Sequence, residues 1–332
     1  MRDQQPSAGP REIGIVGLGK MGGNIARQAL EAGFRVVGQT KGEAPPELVE
    51  AGLEVVENPE GFRAALSRPR LVFLWVPAGP IVDQMLDALA DALEPGDILV
   101  DGGNSYWGDS IARHARLRER QIRFVDLGTS GGLSGARDGA CFMAGGEAEA
   151  VERLEPVCRA LAVEGGFVHA GGPGMGHFVK LVHNGIEFGM LQAIAEGYAL
   201  LRHHEKQLDL QGTLEAWRHG SVIRSWLVDL LAEAHRGDPG LGRAESGYIE
   251  DTGEVNWLVM DAMRMEVPVP VIAQSVMRLF ESRRAPAERD GARAIMAMRH
   301  GFGGHPFGPE ESIAKERKEG RVGPIRPPMG VD

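Results

Sequence analysis

The sequence predicts an α/β amino-terminal domain built on a doubly wound sheet, followed by an all-α domain. In the first half, short β-branched runs alternate with amphipathic helical patterns, which is typical of a mostly parallel sheet covered by helices. After about residue 176 the β-type runs nearly vanish and long helical patterns take over. A length of 332 residues is also long for a single core, so two domains are expected.

The strands of the first half are predicted from apolar runs and the helices between them from apolar positions three and four apart. The predicted strands are EIGIVGLG, FRVVGQT, RLVFLWVP, DILVDGG and IRFVDLG. The predicted helices are GGNIARQALEAG, IVDQMLDALADAL and DSIARHARLRER.

Three helical patterns fill the second half, and they lead to a three-part division of the chain. The patterns are HFVKLVHNGIEFGMLQAIAEGYALLRHHEK, TLEAWRHGSVIRSWLVDLLAEA and VIAQSVMRLFESRR. We predict an α/β domain over residues 1–175, a helical domain over 176–305, and an extended tail over 306–332, where proline, glycine and charged residues are frequent.

Composition excludes several classes of protein. A formal net charge of -10 argues against a nucleic-acid-binding protein, whose surface normally carries a basic excess. No apolar run approaches the length of a membrane span, and the first residues lack the apolar core of a signal peptide. Cys141 and Cys158 are far apart and have no histidine cluster beside them, so we expect reduced thiols, no metal site and a cytoplasmic protein.

A glycine-rich turn follows the first predicted strand and opens the first predicted helix. Gly17, Gly19 and Gly22 have the G-x-G-x-x-G spacing of a dinucleotide-binding turn, in which backbone N–H groups face a pyrophosphate. An ordinary glycine-rich turn is the alternative, but four more strands follow this one, which favours a Rossmann-like cofactor domain. The turn residues expected to line the cofactor are Gly17, Leu18, Gly19, Met21 and Gly22.

The end of the second strand leaves the choice between NAD and NADP open. An acidic residue there would bind a ribose hydroxyl, and an arginine nearby would accept a 2′-phosphate. The segment reads VVGQTKGE and meets neither rule. Thr40 and Lys41 could hold a 2′-phosphate, and Gln39 could serve either ribose.

The segment GHFVKLVHNGIEF places Lys180, His183, Asn184 and Glu187 on one stripe of a largely apolar helix. A buried lysine tends to lose its proton, which makes it a competent general base. A Lys180–Glu187 ion pair is the alternative, but seven residues of helix separate the two side chains by roughly 10 Å. Gly185, unfavourable inside a helix, indicates a backbone that another group approaches closely.

An ordered set of motifs makes the chain similar to the 6-phosphogluconate dehydrogenase family, in its shorter bacterial form, within the β-hydroxyacid dehydrogenases. The motifs, which span about residues 12–305, are GLGKMGGN, WVPAG, DGGN, DLGTSGGLSGA, GMGHFVKLVHNGIEF, GSVIRSW, DTGE and RHGFGGH. The resemblance implies oxidative decarboxylation of 6-phosphogluconate to ribulose 5-phosphate with NAD or NADP, a reaction of the pentose phosphate pathway and of gluconate utilization.

The resemblance also implies roles for individual residues. Lys180 matches the base that deprotonates the C3 hydroxyl, and Glu187 matches the acid that protonates carbon 1 of the enediol. Positions that match binders of the sugar acid are Asn104, Ser130, Gly131, Gly132, His183 and Asn184. Val76, Pro77 and Ala78 match the loop beside the nicotinamide, and Asn104 also lies near the cofactor.

Three further matches concern the substrate phosphate and the assembly. Arg278 matches a phosphate-binding arginine, and Arg299 and His305 match a pair that reaches the phosphate from a neighbouring subunit. The resemblance therefore implies a homodimer or homotetramer with shared sites, a small-molecule substrate, and no metal.

Two departures from the family pattern fall at the phosphate end. Phe188 stands where the family usually has tyrosine, and Asn256 stands where a basic residue is usual in a strand-like segment. Both changes remove donors to a phosphate, and charge-assisted bonds are the strong ones. A dehydrogenase of a related sugar acid such as gluconate, or a β-hydroxyacid dehydrogenase without decarboxylation, is therefore the alternative. A nucleotide-binding regulator without catalysis is a third, which the retained Lys180 and Glu187 disfavour.

Overall fold

The computed structural model describes residues 11–284 and 289–318. They form two compact units, one ending at Leu181 and the other beginning at Val182. The predicted domain boundary lies at residue 176, a few residues earlier, and one continuous helix, Met175–Arg202, contains both positions. No helix in the described ranges is long and apolar enough to cross a membrane.

The first unit contains an eight-stranded sheet whose strand order is β3-β2-β1-β4-β5-β6-β7-β8. The strands are β1 (Glu12–Val16), β2 (Arg35–Gln39), β3 (Glu54–Val55), β4 (Leu71–Leu74), β5 (Ile98–Asp101), β6 (Arg123–Ser130), β7 (Ala140–Gly146) and β8 (Ala162–Gly171). Order 3-2-1-4-5-6 is that of a dinucleotide-binding fold, so the predicted fold class is confirmed.

Helices cover both faces of this sheet. They are α1 (Lys20–Glu31), α2 (Pro46–Glu50), α3 (Pro59–Ala65), α4 (Pro80–Ala92), α5 (Trp107–Glu119), α6 (Gly132–Asp138) and α7 (Ala148–Leu161). Successive residues of β4 enter opposite cores: Leu71 and Phe73 pack on the side of α1 and α7, and Val72 and Leu74 pack on the side of α3 and α4. This explains why the strand is apolar throughout instead of alternating.

The five strands predicted from apolar runs are present, but three further strands are not visible in the sequence pattern. The strand β3 is only two residues long, and β7 and β8 are rich in glycine and alanine, which have low strand propensity. Another difference is that β7 runs antiparallel to β6, whereas the remaining neighbours are parallel.

The second unit consists of helices in its described part. After α8 (Met175–Arg202) come α9 (Leu210–Arg218), α10 (Trp226–Gly237), a short 3-10 turn (Gly242–Ala244), α11 (Glu254–Arg264), α12 (Pro270–Arg284), α13 (Arg289–Gly303) and α14 (Glu311–Lys318). The apolar faces of α8 to α13 meet in one cluster that includes Leu191, Tyr198, Leu231 and Met298.

The pattern TLEAWRHGSVIRSWLVDLLAEA was predicted as one helical segment and is two helices. The helix α9 ends at Arg218, and Gly220 follows with a φ of +40° that a continuing helix does not allow. Ser225 then caps α10, since its hydroxyl accepts the Val228 N–H at 3.3 Å. Apolar Val222 and Ile223 in the connection had extended the apparent pattern across the break.

Two other predictions about the second unit differ from the structure. The segment around Asn256 was expected to be strand-like but lies inside α11, which begins at Glu254 after Gly253 in a left-handed conformation. The tail predicted from residue 306 contains the helix α14. Residues 319–332 of that tail lie outside the described part of the chain.

A buried ion pair at the amino-terminal ends of β4 and β5 supplies a stability test remote from the glycine-rich turn. Arg70 is 6% exposed and Asp97 is fully buried, with 2.9 Å between Nη1 and Oδ2. Asp97 also accepts the backbone N–H groups of Arg70 and Glu94.

We predict that Asp97→Ala lowers the free energy of unfolding by about 3 kcal/mol, because a buried guanidinium loses its buried counter-charge and keeps only the partly exposed Glu94. Urea unfolding measures this change. The control is Asp91→Ala, which removes the largely exposed partner of Arg120 and should cost less than about 1 kcal/mol. Equal losses in the two variants would contradict the assignment.

Candidate active site

The turn between β1 and α1 has the geometry that a dinucleotide pyrophosphate requires. Gly17 has a φ of +91°, and a side chain there would collide with the Trp75 carbonyl. A Cβ on Gly22 would collide with the Gly17 carbonyl, so α1 lies too close to the turn for any other residue. Around Gly19 there is open space within 4 Å, which leaves room for a ligand against the backbone.

The other two turn residues contribute differently. Leu18 is 5% exposed and packs into the core, so only its backbone faces the turn, and Met21 packs partly against the same core. The N-terminus of α1 begins at Lys20, directly after Gly19, and presents its first N–H groups to this turn. These residues fit NAD or NADP, with the pyrophosphate at the helix N-terminus.

The predicted ribose contacts lie at the end of β2. Gln39 is the last residue of the strand, and its Nε2 donates to the Glu57 carbonyl at 3.3 Å. Thr40 is half-buried and Lys41 is exposed. Lys41 is the single cation between Arg35 and residue 50, so the position offers one charge to a 2′-phosphate.

The segment Val76–Ala78, expected beside the nicotinamide, follows β4 and packs against the DGGN loop that follows β5. A Cβ on Gly102 would lie 2.7 Å from the Trp75 ring, and a Cβ on Gly103 would lie 2.9 Å from the Val76 carbonyl. The two loops at adjacent strand ends are therefore in direct backbone contact. This contact brings Val76 and Asn104 to the same edge of the sheet.

Asp101 organises the DGGN loop, a role that the sequence reasoning missed. The carboxylate is fully buried at the end of β5 and accepts the Gly103 N–H at 3.0 Å and the Ser105 hydroxyl at 2.7 Å. Arg113 faces it at 3.4 Å. Asn104, the predicted ligand-binding residue, is half-buried between two residues held by this carboxylate.

The TSGG segment forms the end of β6 and the start of α6. Ser130 is the last strand residue, and Gly131 and Gly132 have φ values of +117° and +59°. A Cβ on Gly131 would lie 2.9 Å from the Gly135 backbone. Glycine is therefore required for this turn, and the predicted carboxylate contacts through its N–H groups stay a prediction.

The first turns of α8 lie directly on β6 and β7, with no side chain between helix and sheet. A Cβ on Gly128 would lie 2.5 Å from the Lys180 Cβ and 2.7 Å from the Gly176 carbonyl. A Cβ on Gly176 would collide with the Asp126 carbonyl. The Cβ of Lys180, the predicted base, is therefore held in place against the sheet.

A carboxylate from the sheet caps the start of α8. Asp126 is fully buried, and its two oxygens accept the Gly174 N–H at 2.7 Å and the His177 N–H at 2.8 Å. Burial raises the pKa of Asp126, whereas His177 and the two donors act in the opposite direction. The partners are about 50 positions away in sequence, so no local motif predicts this cap.

The remaining stripe residues follow on α8 within the second unit. The His183 Nδ1 lies 3.2 Å from the Asn184 Oδ1, Asn184 is 9% exposed, and Glu187 is half-buried. Gly185 has a structural explanation, because a Cβ there would collide with Leu258 of α11. The glycine lets two helices pack closely, and it is not evidence for a ligand.

The ring of Phe188 packs in the helical core beside a buried guanidinium. Phe188 is 8% exposed, and the Arg299 guanidinium lies over its ring at 5.3 Å. Arg299 itself is 4% exposed and donates to the Glu250 carbonyl at 2.9 Å. A cation therefore stands beside the position at which a tyrosine hydroxyl was expected.

The other two predicted phosphate residues, Arg278 and His305, also lie in the helical unit. Arg278 on α12 forms a partly exposed ion pair with Glu281 at 2.6 Å. The ring of His305 packs edge-on against Phe302, with centroids 5.6 Å apart. Within the described residues, no group of three or more histidine, cysteine, aspartate or glutamate side chains is arranged to hold a metal ion.

The nucleotide-binding sheet, its glycine-rich turn and the helical unit that follows define an NAD(P)-dependent dehydrogenase. Residues 12–171 match the NAD binding domain of 6-phosphogluconate dehydrogenase, and residues 176–318 match the 6-phosphogluconate dehydrogenase C-terminal domain. The chain belongs to the 6-phosphogluconate dehydrogenase family.

Individual relatives agree with this assignment. The NAD(+)-dependent, decarboxylating 6-phosphogluconate dehydrogenase of Haloferax volcanii is 38% identical over 89% of this chain and 97% of its own length. The NAD(+)-dependent, decarboxylating enzyme of Bacillus subtilis is 34% identical over 86% of this chain, but this chain spans only 64% of that longer protein.

A solved structure shows the same relation. Plasmodium falciparum 6-phosphogluconate dehydrogenase, studied in its apo form, with its cofactor NADP+ and with its substrate 6-phosphogluconate, superimposes with a TM-score of 0.74 at 27% identity. The match covers 82% of this chain and 62% of that one.

Alanine substitutions in the cofactor turn should separate ligand binding from folding. We predict that Gly19→Ala weakens NADH binding at least tenfold with little change in melting temperature, because the added methyl meets the ligand and no protein atom. Gly22→Ala should lower both affinity and melting temperature, because its methyl collides with the Gly17 carbonyl. Fluorescence titration and thermal unfolding measure the two effects. Unchanged NADH affinity in Gly19→Ala would contradict the turn assignment.

Proposed function

We propose that this chain catalyses the NAD(P)-dependent oxidative decarboxylation of 6-phospho-D-gluconate to D-ribulose 5-phosphate and CO2. The observation that carries the proposal is the stripe on α8, where Lys180 and Glu187 stand two helical turns apart with His183 and Asn184 between them. The names of the relatives from Haloferax volcanii and Bacillus subtilis support the substrate.

The stripe supplies the two proton transfers that the reaction requires. When bound, the nicotinamide accepts a hydride from C3 of the substrate. Lys180, as a neutral amine, takes the proton of the C3 hydroxyl, which leaves a 3-keto acid. The bond between C1 and C2 then breaks, its electrons form an enediol, and CO2 departs while the Lys180 ammonium donates to the developing C3 oxygen.

Glu187 completes the sequence at the neighbouring carbon. As a carboxylic acid it protonates carbon 1 of the enediol, the former C2 of the substrate, and the ketopentose phosphate results. Base and acid on one rigid helix have a fixed separation of roughly 10 Å, which allows them to approach a bound chain from two sides without neutralising each other. The TSGG turn would hold the departing carboxylate through backbone N–H groups.

The helical unit retains cations for the phosphate despite Phe188 and Asn256. Arg299 lies against the Phe188 ring, and Arg278 is partly exposed on α12. Guanidinium groups bind phosphate through paired, charge-assisted hydrogen bonds. A gluconate dehydrogenase remains the second candidate, because the tyrosine hydroxyl is missing and Asn256 carries no charge.

A homo-oligomer is also part of the proposal. The helical unit exposes apolar side chains on α11, α12 and their connection, including Met263 at 74%, Val271 at 67% and Val267 at 53%. Clustered exposed apolar residues are typical of protein interfaces. We propose a homodimer or homotetramer in which a second copy brings Arg299 and His305 to the site, and sedimentation velocity measures its size. The free cysteines Cys141 and Cys158 support a reducing, cytoplasmic location.

Initial rates with 6-phosphogluconate and with gluconate, each with NAD and with NADP, test the reaction. We predict a kcat/KM for 6-phosphogluconate at least about a hundredfold above that for gluconate, because each charged hydrogen bond contributes roughly 1.5–3 kcal/mol. One CO2 should form per NAD(P)H. Equal rates with both acids would establish a gluconate dehydrogenase, and NAD(P)H without CO2 would establish a simple β-hydroxyacid dehydrogenase.

A further inference from the structure

The start of α8 depends on a single carboxylate of the sheet. Asp126 uses one oxygen for the Gly174 N–H and the other for the His177 N–H. These are donors that the first turn of a helix cannot satisfy internally. The carboxylate is fully buried, so no water replaces it if it moves. The first turn of α8 is therefore tied to the middle of β6.

The same turn is held from a second side by α5. The His177 Nδ1 lies 2.7 Å from the Ser110 Oγ, and the Trp107 ring packs edge-on against Phe178 with centroids 5.6 Å apart. The helix α5 begins shortly after the DGGN loop. These contacts therefore fix the start of α8 relative to the loop that contains Asn104. The helix can neither slide nor rotate without breaking one set of contacts.

Close approach completes the arrangement. Lys180 follows His177 by less than one turn, and its Cβ occupies the space that a side chain on Gly128 would need. Gly128 lies two residues after Asp126 on β6 and two residues before Ser130. The strand β6 therefore carries Asp126, which caps α8, Gly128, which leaves space for Lys180, and Ser130, a predicted substrate contact.

We propose that Asp126 and Gly128 are positioning residues, which set where the Lys180 amine stands relative to the strand ends that bind substrate and cofactor. The proposal rests on the proposed function, in which Lys180 is the base. Neither residue touches the reacting atoms. Misplacement of a reacting group by 1 Å can cost about a hundredfold in rate, so small shifts of the helix should be visible in kcat.

The chain offers a matched control for this role. Asp97 is also fully buried in the sheet and also accepts two backbone N–H groups, from Arg70 and Glu94. It lies directly before β5, whereas Asp126 lies in the middle of β6. Asparagine in either position keeps the shape but turns one N–H donor toward a backbone N–H. The two substitutions remove the same charge and the same kind of backbone acceptor, but Asp97→Asn also weakens the ion pair with Arg70, so it is the more severe test of stability.

The experiment compares Asp126→Asn, Gly128→Ala and Asp97→Asn in the full chain. We expect Asp126→Asn and Gly128→Ala to lower kcat at least tenfold, to keep the Kd for NADH within about threefold, and to raise the primary isotope effect with 3-deuterated 6-phosphogluconate. Asp97→Asn should lower the melting temperature and leave kcat and the isotope effect unchanged. Wild-type kcat and isotope effect in Asp126→Asn, or an equal loss of kcat in Asp97→Asn, would overturn the proposal.

Amide hydrogen exchange tests the same proposal without substrate. Exchange over residues 174–180 should accelerate in Asp126→Asn and stay unchanged in Asp97→Asn, because only the first variant loses the cap of α8. Unchanged exchange in Asp126→Asn would refute the positioning role even if Gly128→Ala failed to fold. A wild-type chain that does not turn over 6-phosphogluconate would refute the proposed function alone, since the exchange result is independent of it.

Discussion

The direct seating of α8 on the sheet is the constraint on which the rest of the site depends. Helices usually rest on a sheet through intervening side chains, but here glycines at positions 128, 145 and 176 remove that layer. Backbone then meets backbone, and the Asp126 carboxylate satisfies the N–H groups that the contact buries. Lys180 follows His177 by less than one turn, so the sheet also fixes the position of its backbone.

In the proposed mechanism, the same helix also separates the two proton transfers. A loop would let the base and the acid move relative to each other, whereas α8 fixes their spacing at two turns. Gly185, between them, lets α11 pack close to the same helix, so α8 is supported in the second unit as well.

Local patterns in the sequence were sufficient to predict much of this structure. The strands β1, β2, β4, β5 and β6 are buried on both faces and read as apolar runs, and the cofactor turn has a fixed glycine spacing. The stripe from Lys180 to Glu187 follows directly from helical periodicity. The role of Asp126 could not be predicted in the same way, because its partners at the start of α8 are 48 and 51 positions away. The nearest partners of Asp101 are only two and four positions away, but its burial at the end of β5 was not visible in the local pattern.

Other differences have equally physical causes. The strands β7 and β8 contain small residues that carry no periodic signal, and the break between α9 and α10 depends on a serine cap inside an apolar run. The sequence predicted that some group approaches the Gly185 backbone closely, and the structure shows that this group is the Leu258 side chain of α11. The sequence indicated only that Phe188 removes a hydrogen-bond donor to the phosphate, whereas the structure also shows the Arg299 guanidinium against the Phe188 ring.

A rapid-mixing measurement of NAD(P)H formed in the first turnover tests the central claim, that α8 divides the chemistry between Lys180 and Glu187. The account predicts that Glu187→Gln forms about one NAD(P)H per site and then slows, because hydride transfer precedes the step that needs the acid. Lys180→Arg should form none, since a guanidinium stays protonated and cannot act as a base. A first-turnover burst of equal size in both variants would contradict the account.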